Sequence, residues 1–547
     1  MKKSKLWLLE LFLLLALSVF LAACSGEEGT TEESTETNEE TNEETTDGTE
    51  GAEEVVPQTL VFGRGGDSVS LDPAIVTDGE SFKVTENIFE TLLNFGEQDT
   101  TIHPGLAKEW EVSEDGLTYT FHLQEGVKFH DGTDFNAEAV VKNVERWKGG
   151  AEEQFYYYHS MFKAEGENVI ASVEATDDLT VVFTLSRPQA PFLKNIAMSP
   201  FAIASPTAFE AAGEKFGDSP VGTGPFKFVE WKRNDSITVE KNEEYWQEGL
   251  PKLDTIIFRA IPDNSARLNA LMTGEIDLAD GVNPSDSTTV ESNPDLQLIE
   301  RPSMNVGYLG LTNTRPPFDN KLVRQAVNYA IDKQAIVDAF YQGRAEVAAN
   351  PMPSSISGYN DEITAYEYDP EKAKELLAEA GYDGSEIELW AMPVPRPYMP
   401  DGQKVAEAIQ KNLSDVGIPS KIVTFEWATY LEKANNGEAD AFLLGWTGDN
   451  GDADNFLYTL LDKDTIGSNN YAYYSSDEVH ELLIAAQSEI DEEKRIDLYK
   501  QAQEIIHEDA PWVPLAHSIP LLAAKKGVTG YLPHPTGSES LINVSLQ

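Results

Sequence analysis

The chain has 547 residues, with 94 acidic against 40 basic side chains, a formal net charge of -54, 41% hydrophobic residues and a single cysteine. So acidic a balance argues against nucleic acid or an anionic bilayer surface as a partner, since both repel negative charge. One cysteine excludes an intrachain disulfide.

Lys2, Lys3 and Lys5 precede an apolar run from Leu6 to Ala23 that Glu10 interrupts once. A basic start, an apolar stretch and the small pair Ala22-Ala23 are the parts of an export signal, predicted over 1–23. The unbroken part after Glu10 falls short of the ~20 residues that a stable membrane span needs. Leu21-Ala22-Ala23-Cys24 resembles a bacterial lipobox, which implies cleavage before Cys24 and a lipid on its sulfur. The competing reading is a buried cysteine in a transmembrane anchor. Segment 24–56 reads as a self-repelling, extended tether, because Ser25 to Glu54 holds 13 acidic and no basic residues. From Val55 onward there are 80 acidic and 37 basic residues, so the folded surface is acidic as well.

The roughly 490 residues beyond the tether are too many for one ordinary core and suffice for two or more domains. Strand patterns at 117–123 (LTYTFHL), 179–185 (LTVVFTL) and 236–240 (SITVE) alternate with helical ones at 136–148 and 264–275. That is a mixed α/β pattern rather than a solenoid or coiled coil. Asn136 and Asn264 are the expected helix caps, their side-chain oxygens accepting from otherwise unpaired amides.

Past a short strand pattern at Met304-Asn305-Val306, the stretch 320–341 places Val323, Ala326, Val327 and Ala330 on one apolar stripe, read as core. A helix over 369–382 opens on Asp369 and Pro370 and closes at Gly381. Segment 401–418 repeats this organisation, and the strand-like SKIVTFEW follows at 420–427. Arg396 stands among Pro395, Pro397 and Pro400, which stiffen the backbone that presents its guanidinium. Such an arginine can pair bidentately with a carboxylate, or simply lie on a proline-rich surface link. AFLL at 441–444 reads as a buried strand leading into GWTGDNGDADNF, Gly445 to Phe456. That turn-rich loop could hold a carboxylate for a ligand ammonium, or its aspartates could only solvate a surface turn or bind a cation.

Several blocks carry a resemblance to a known family. Residues 107–143 (AKEWEVSEDGLTYTFHLQEGVKFHDGTDFNAEAVVKN), 220–231 (PVGTGPFKFVEW) and 390–410 (WAMPVPRPYMPDGQKVAEAIQ), together with GWTGDNGDADNF, resemble the extracytoplasmic peptide-binding proteins of ABC importers, most closely the dipeptide-binding branch. The resemblance covers the chain after the tether. It implies an α/β, two-lobe periplasmic-binding-protein-like fold of type II, large peptide-binding cluster, with an inserted subdomain in the first lobe. Lobe I would take 57–303 plus 518–547, including the insertion at about 97–220, and lobe II 304–517. A ligand would be enclosed as the lobes close.

A dipeptide offers an ammonium and a carboxylate about 7 Å apart when extended, so a receptor needs opposite charges at a fixed separation. The resemblance assigns Arg396 to the carboxylate and Asp449 to the ammonium. Asp452 and Asp454 become loop-capping or supporting residues. Trp446 and Tyr398 are expected either to wall the cleft and exclude water or to be core aromatics. Thr77, Asp78 and Gly79 are expected to add polar or backbone contacts from the first lobe, while VGTGPF from Val221 reads as scaffold.

His103, His122, His130, His159, His507 and His517 lack metal-ligand spacing, and neither an HExxH helix nor a GxSxG elbow occurs. A non-enzymatic receptor without a cofactor is therefore expected. Its partners would be a dipeptide, a membrane permease with its ATPase subunits, and the membrane through lipidated Cys24, with the protein monomeric, extracytoplasmic and not bound to nucleic acid. Competing readings are a longer oligopeptide, haem or a nickel chelate as cargo, or a structural surface lipoprotein that would not close on small ligands.

Overall fold

The computed structural model describes residues 57–164 and 167–547. The export segment 1–23, Cys24 and the tether 24–56 lie outside the described residues. Two mixed sheets dominate. The seven-stranded one runs, in spatial order, Phe226–Lys232, Ser236–Lys241, Thr255–Ala260, Thr59–Arg64, Leu278–Ala279, Leu521–Lys525 and Leu296–Glu300. The six-stranded one runs Ala345–Val347, Trp512–Ser518, Asn305–Leu311, Ala441–Thr447, Ile387–Trp390 and Ser420–Val423.

Alternation along the first sheet splits its apolar side chains between two cores. Leu60, Phe62 and Leu278 point to one face, and Ala279, Leu521 and Ala523 to the other. By contrast, Asn305–Leu311 is buried along its whole length, as a central strand covered on both faces must be. Its helical cover includes the expected stripe: Val323, Ala326, Val327 and Ala330 are all buried in the core formed by residues 304–516. Val323 and Val327, removed from water there, each contribute about 1.5–3 kcal/mol. A third, four-stranded antiparallel sheet, Ala107–Val112, Thr118–Leu123, Thr180–Leu185 and Ile170–Asp177, has its own core within residues 74–203.

Local chemistry explains where elements start and stop. Asn136 caps Ala137–Gly149 by accepting from Ala139 N at 3.0 Å. Asp369 and Asp401 cap Pro370–Ala380 and Gly402–Asp415, and Gly381 takes the left-handed turn that ends the former. Three readings are corrected. Asp263, not Asn264, caps Asn264–Thr273, accepting from Ala266 N at 2.7 Å and leaving the Asn264 side chain to bind Arg267 and Asn283. The 320–341 stretch is two helices, Lys321–Ala330 and Lys333–Phe340, because Asp332 caps a fresh start through Ala335 N. The 420–427 strand ends at Val423, since Glu426 caps a helix beginning at Trp427.

The chain passes from the first sheet to the second through 301–304 and returns through 519–520. Arg301 N donates to Pro520 O at 2.9 Å, which ties the two crossings together. Beside them the buried Asn305 amide accepts from Ser518 N at 3.0 Å and donates to Ser518 O at 2.9 Å. The Arg301 side chain, also buried, bonds Asp280 at 3.3 Å and pairs with Glu539.

Candidate functional site

Asp449 follows the interior strand Ala441–Thr447, at the end of the six-stranded sheet where the chain crosses over. Gly448 N donates to Met304 O of the crossing at 2.8 Å, which fixes the backbone one residue earlier. Asn455, buried at the start of the helix Asp454–Leu461, then holds the side chain. Its Oδ1 accepts from Asp449 N at 2.9 Å and from Trp446 Nε1 at 3.0 Å, and its Nδ2 donates to Asp449 Oδ2 at 3.0 Å. The other carboxylate oxygen meets the Tyr157 hydroxyl at 3.4 Å, a long hydrogen bond from the four-stranded subdomain.

Asp449 keeps a little surface, yet the surrounding atoms desolvate it enough to push its pKa up to about 6, with the Asn455 and Tyr157 hydrogen bonds opposing the rise. Among the described residues no lysine or arginine pairs with it. A carboxylate in this state lacks a cation, and an ammonium placed against Oδ1 would supply one.

Arg396 belongs to a two-residue turn in which Arg396 N donates to Met399 O at 3.1 Å and Met399 N to Arg396 O at 2.9 Å. The turn is fastened from two directions: Tyr341 Oη donates to Tyr398 O at 2.8 Å, and Ser518 Oγ of the return crossing to Pro397 O at 2.7 Å. The guanidinium is exposed, lies 5.2 Å from the centre of the Trp427 ring and has no carboxylate partner among the described residues. Tyr398 is buried beneath it and packs directly on Gly307 and Gly445, where any Cβ would collide with it. Burial pushes the Tyr398 hydroxyl up to about 12, so it stays a neutral donor. Of the two expected aromatics, Tyr398 is therefore core and Trp446 is half-buried on that core.

From the first lobe, Asp78 caps the helix Gly79–Thr85 and spends its carboxylate on Ser81, accepting from N at 2.9 Å and Oγ at 2.7 Å. Thr77 and Gly79 beside it are exposed. Phe82 of the same helix has its ring 6.1 Å from that of Tyr157, and both Asp78 and Asp449 raise the Tyr157 pKa through their charge, after burial. Asp449 thus reaches this tyrosine by a hydrogen bond and Asp78 only through its charge.

Asp452 and Asp454 stand behind the loop. Arg495 grips Asp452 in a fork, Nη1 to Oδ2 at 2.9 Å and Nη2 to Oδ1 at 2.6 Å, which holds that carboxylate ionised below its usual range despite burial. Asp454 is pushed up to about 7 by desolvation and by the Asp452 charge, and Gln487 Nε2 donates to it at 3.1 Å. Asp462, Asp464 and His480 bring possible metal-ligand atoms within 4.8 Å of one another. Their atoms already serve one another: Asp462 Oδ1 accepts from Asp464 N at 2.9 Å and meets His480 Nδ1 at 3.0 Å.

Sequence reasoning missed Tyr157, Asn455 and Trp427. The tyrosine run 156–158 was a signal for the first, and Asn455 stands inside the acidic block itself. A cavity of about 310 Å³ lies apart from these charges, lined by residues including Glu86 and Glu90 and by none from 304–517. Burial raises both carboxyls to about 7, but each already has donors, Ser199 and Ser538 for Glu86 and Thr223, Tyr245 and Trp246 for Glu90.

Comparison with known proteins places this geometry in context. The family described as bacterial extracellular solute-binding proteins, family 5 middle, matches residues 101–468. Heme-binding protein A of Haemophilus influenzae is 39% identical over 508 residues, 89% of this chain and 92% of that protein. The dipeptide-binding protein of Escherichia coli is 39% identical over 520 residues, covering 91% and 96%. Among solved structures, the ABC transporter-associated periplasmic binding protein DppA from Helicobacter pylori, in complex with peptide STSA, superposes with a TM-score of 0.80 at 38% identity, covering 89% and 98%.

Proposed function

The chain belongs to the bacterial extracellular solute-binding proteins, family 5, and from that premise we propose that it captures dipeptides by their two charged ends and passes them to the permease of an ABC importer. Members of this family are receptors rather than enzymes, and the fold is the type II two-lobe α/β fold of the peptide-binding proteins. The observation that carries the dipeptide reading is Asp449, a desolvated carboxylate pinned by Asn455 and without a cation among the described residues. Arg396 supplies the opposite charge, with no carboxylate partner among the described residues, from a turn fastened to the same end of the sheet. Two unpaired charges of opposite sign match a zwitterion with separated ends. Binding needs no covalent step: a peptide bridging the lobes favours the closed population over the open one.

Arg396→Ala is expected to weaken dipeptide binding about ten- to a hundred-fold, the loss of one charged hydrogen-bonding group at an exposed site. Titration calorimetry checks it, and unchanged affinity would remove Arg396 from the site. Length is tested on the same instrument with peptides of two to five residues. A tetrapeptide accompanies the Helicobacter pylori relative, so an optimum at three or more would replace the dipeptide by a longer cargo. Haem is the second reading, favoured by the name of the Haemophilus influenzae relative. Spectral titration with haem decides it, since haem has carboxylates but no ammonium to engage Asp449.

Anchoring belongs to the same proposal. Cleavage before Cys24 and lipid on its sulfur would keep the receptor beside the permease, and the acidic segment 24–56 would give it reach. Intact-mass measurement of protein from membranes should show a chain beginning at a diacylated Cys24, and Cys24→Ser should release it from the membrane. An unmodified Cys24 in membrane-derived protein would end that part of the proposal.

A further inference from the structure

The loop that carries Asp449 is held from behind by Arg495 and from in front by the inserted subdomain. The side chains of Asn450 and Asn195, both buried, meet through Nδ2 and Oδ1 at 2.7 Å. Lys194, next to Asn195 at the end of a short helix, donates from Nζ to Gly451 O at 2.7 Å. Gly451 has φ +64, and a Cβ there would strike the Thr100 side chain of the subdomain. One residue before Asn450, Asp449 itself receives the Tyr157 hydroxyl. Three consecutive residues of the ammonium-binding loop therefore each have a subdomain partner.

Further along, the contact continues. Ala190 N donates to Gln487 O at 2.7 Å and Arg187 to Gln487 Oε1 at 3.2 Å, while Gln487 Nε2 holds Asp454. Asn469 Nδ2 donates to the Tyr156 hydroxyl at 2.6 Å. Apart from the Gln487–Asp454 bond, which stays on one side, these bonds join residues separated by about 250 positions or more in the chain, so each must break if the subdomain swings away from the six-stranded sheet. Lys194 has lost most of its hydration here, and burial holds it below the usual lysine range against the pull of Asp452.

We propose that the inserted subdomain is the jaw that closes the site, with Lys194 and Asn195 as positioning residues that grip the Asp449 loop and set how long a bound peptide is retained. Closure and recognition of the ammonium then share one loop. An ammonium against Asp449 favours the loop geometry that Lys194 and Asn195 can grip, and that grip in turn keeps the ammonium from water. Neither residue touches the peptide. Their contribution appears in release, because the contacts form after the ligand has entered the open cleft.

This inference rests on the peptide-receptor reading above, and stopped-flow measurement of L-Ala-L-Ala association and dissociation on the full chain separates the two. Lys194→Met and Asn195→Ala should each speed release about five- to ten-fold, as the loss of one hydrogen bond across a buried contact does, while association changes less than two-fold. Lys194→Arg, which keeps a donor and a charge, should restore most of the retention. Unfolding of the ligand-free variants should begin at the wild-type temperature. Release rates equal to wild type, or association and release altered together with a lowered unfolding temperature, would overturn the jaw. Absence of any peptide binding by the wild-type chain would instead overturn the receptor reading and take this one with it.

Discussion

Asp449→Asn is expected to lower dipeptide affinity at least about a hundred-fold and, at the same time, to raise the unfolding temperature of the ligand-free protein. The first half follows from charge. A ligand ammonium carried into a desolvated site without its carboxylate stays unpaired, which costs about 2–5 kcal/mol. The second half follows from linkage. In the folded chain Asp449 has its pKa raised from 3.8 to about 6. The folded state therefore binds that proton more tightly than the unfolded chain, and stability present at low pH is lost as pH rises through about 6. Above that pH the ionised carboxylate costs up to about 3 kcal/mol, at 1.36 kcal/mol per pKa unit.

Asparagine has no such cost and can still accept from Asn455. The same titration sets the pH dependence of binding. Wild-type affinity should hold above about pH 6 and fall roughly ten-fold per unit below it, whereas the asparagine variant should show no such step between pH 5 and 7. Calorimetry across that range, with thermal unfolding at pH 7.5, tests both halves. Wild-type affinity in the variant would remove Asp449 from the site, and a lowered unfolding temperature would contradict the desolvated carboxylate.

Arg495→Met is expected to be the most damaging change to stability near the site, at about 3–5 kcal/mol. Methionine covers much of the apolar surface of the arginine stem, so packing is largely kept. What disappears is the fork on Asp452, a side chain 3% exposed that would remain buried with its charge uncompensated. Asp454 is already raised by its neighbour and would compete with it for any remaining hydration. Tyr499 Oη and the Ala486 carbonyl lose their donor as well. Thermal unfolding should show the loss, and adding Asp452→Asn to Arg495→Met should return more than half of it. A double variant no better than the single one would mean that lost packing, not the orphaned carboxylate, is the cause.

Much of the scaffold was legible because it is written locally. Alternation at 117–123 and 179–185, the Asp369-Pro370 start and Gly381 stop of one helix, and the 323–330 stripe depend on residues a few positions apart. Where local chemistry offered two candidates it misled: Asp263 and Asn264 are both caps by type, and only the backbone geometry chooses the aspartate. The break at Ile331-Asp332 was hidden because the apolar pattern continues across it.

The site divided along the same line. Arg396 and Asp449 stand in recognisable blocks, but the groups that give them meaning come from far away in the chain. Tyr157 lies 292 residues from Asp449, and Ser518 lies 121 from Pro397. No periodicity or spacing rule reaches that far. Tyr398 shows the limit most plainly. Its type allowed either a cleft wall or core, and the ring takes the room left at Gly445, a glycine that looks, in sequence, like an ordinary interruption of a strand.

That glycine and the one opposite it also constrain how the protein can change over generations. Gly307 and Gly445 sit opposite each other on neighbouring strands, with the Tyr398 ring against Gly445 and the Tyr398 carbonyl against Gly307. A methyl group at Gly445 strikes the Tyr398 ring and the Val306 carbonyl, and one at Gly307 strikes the Tyr398 carbonyl, so loss of the tyrosine side chain frees neither glycine. The dependence therefore runs one way: the tyrosine needs Gly445, while both glycines are held by backbone carbonyls whatever side chain stands at 398. Related chains should vary at 398 while keeping both glycines, and should not lose Gly445 while keeping the tyrosine.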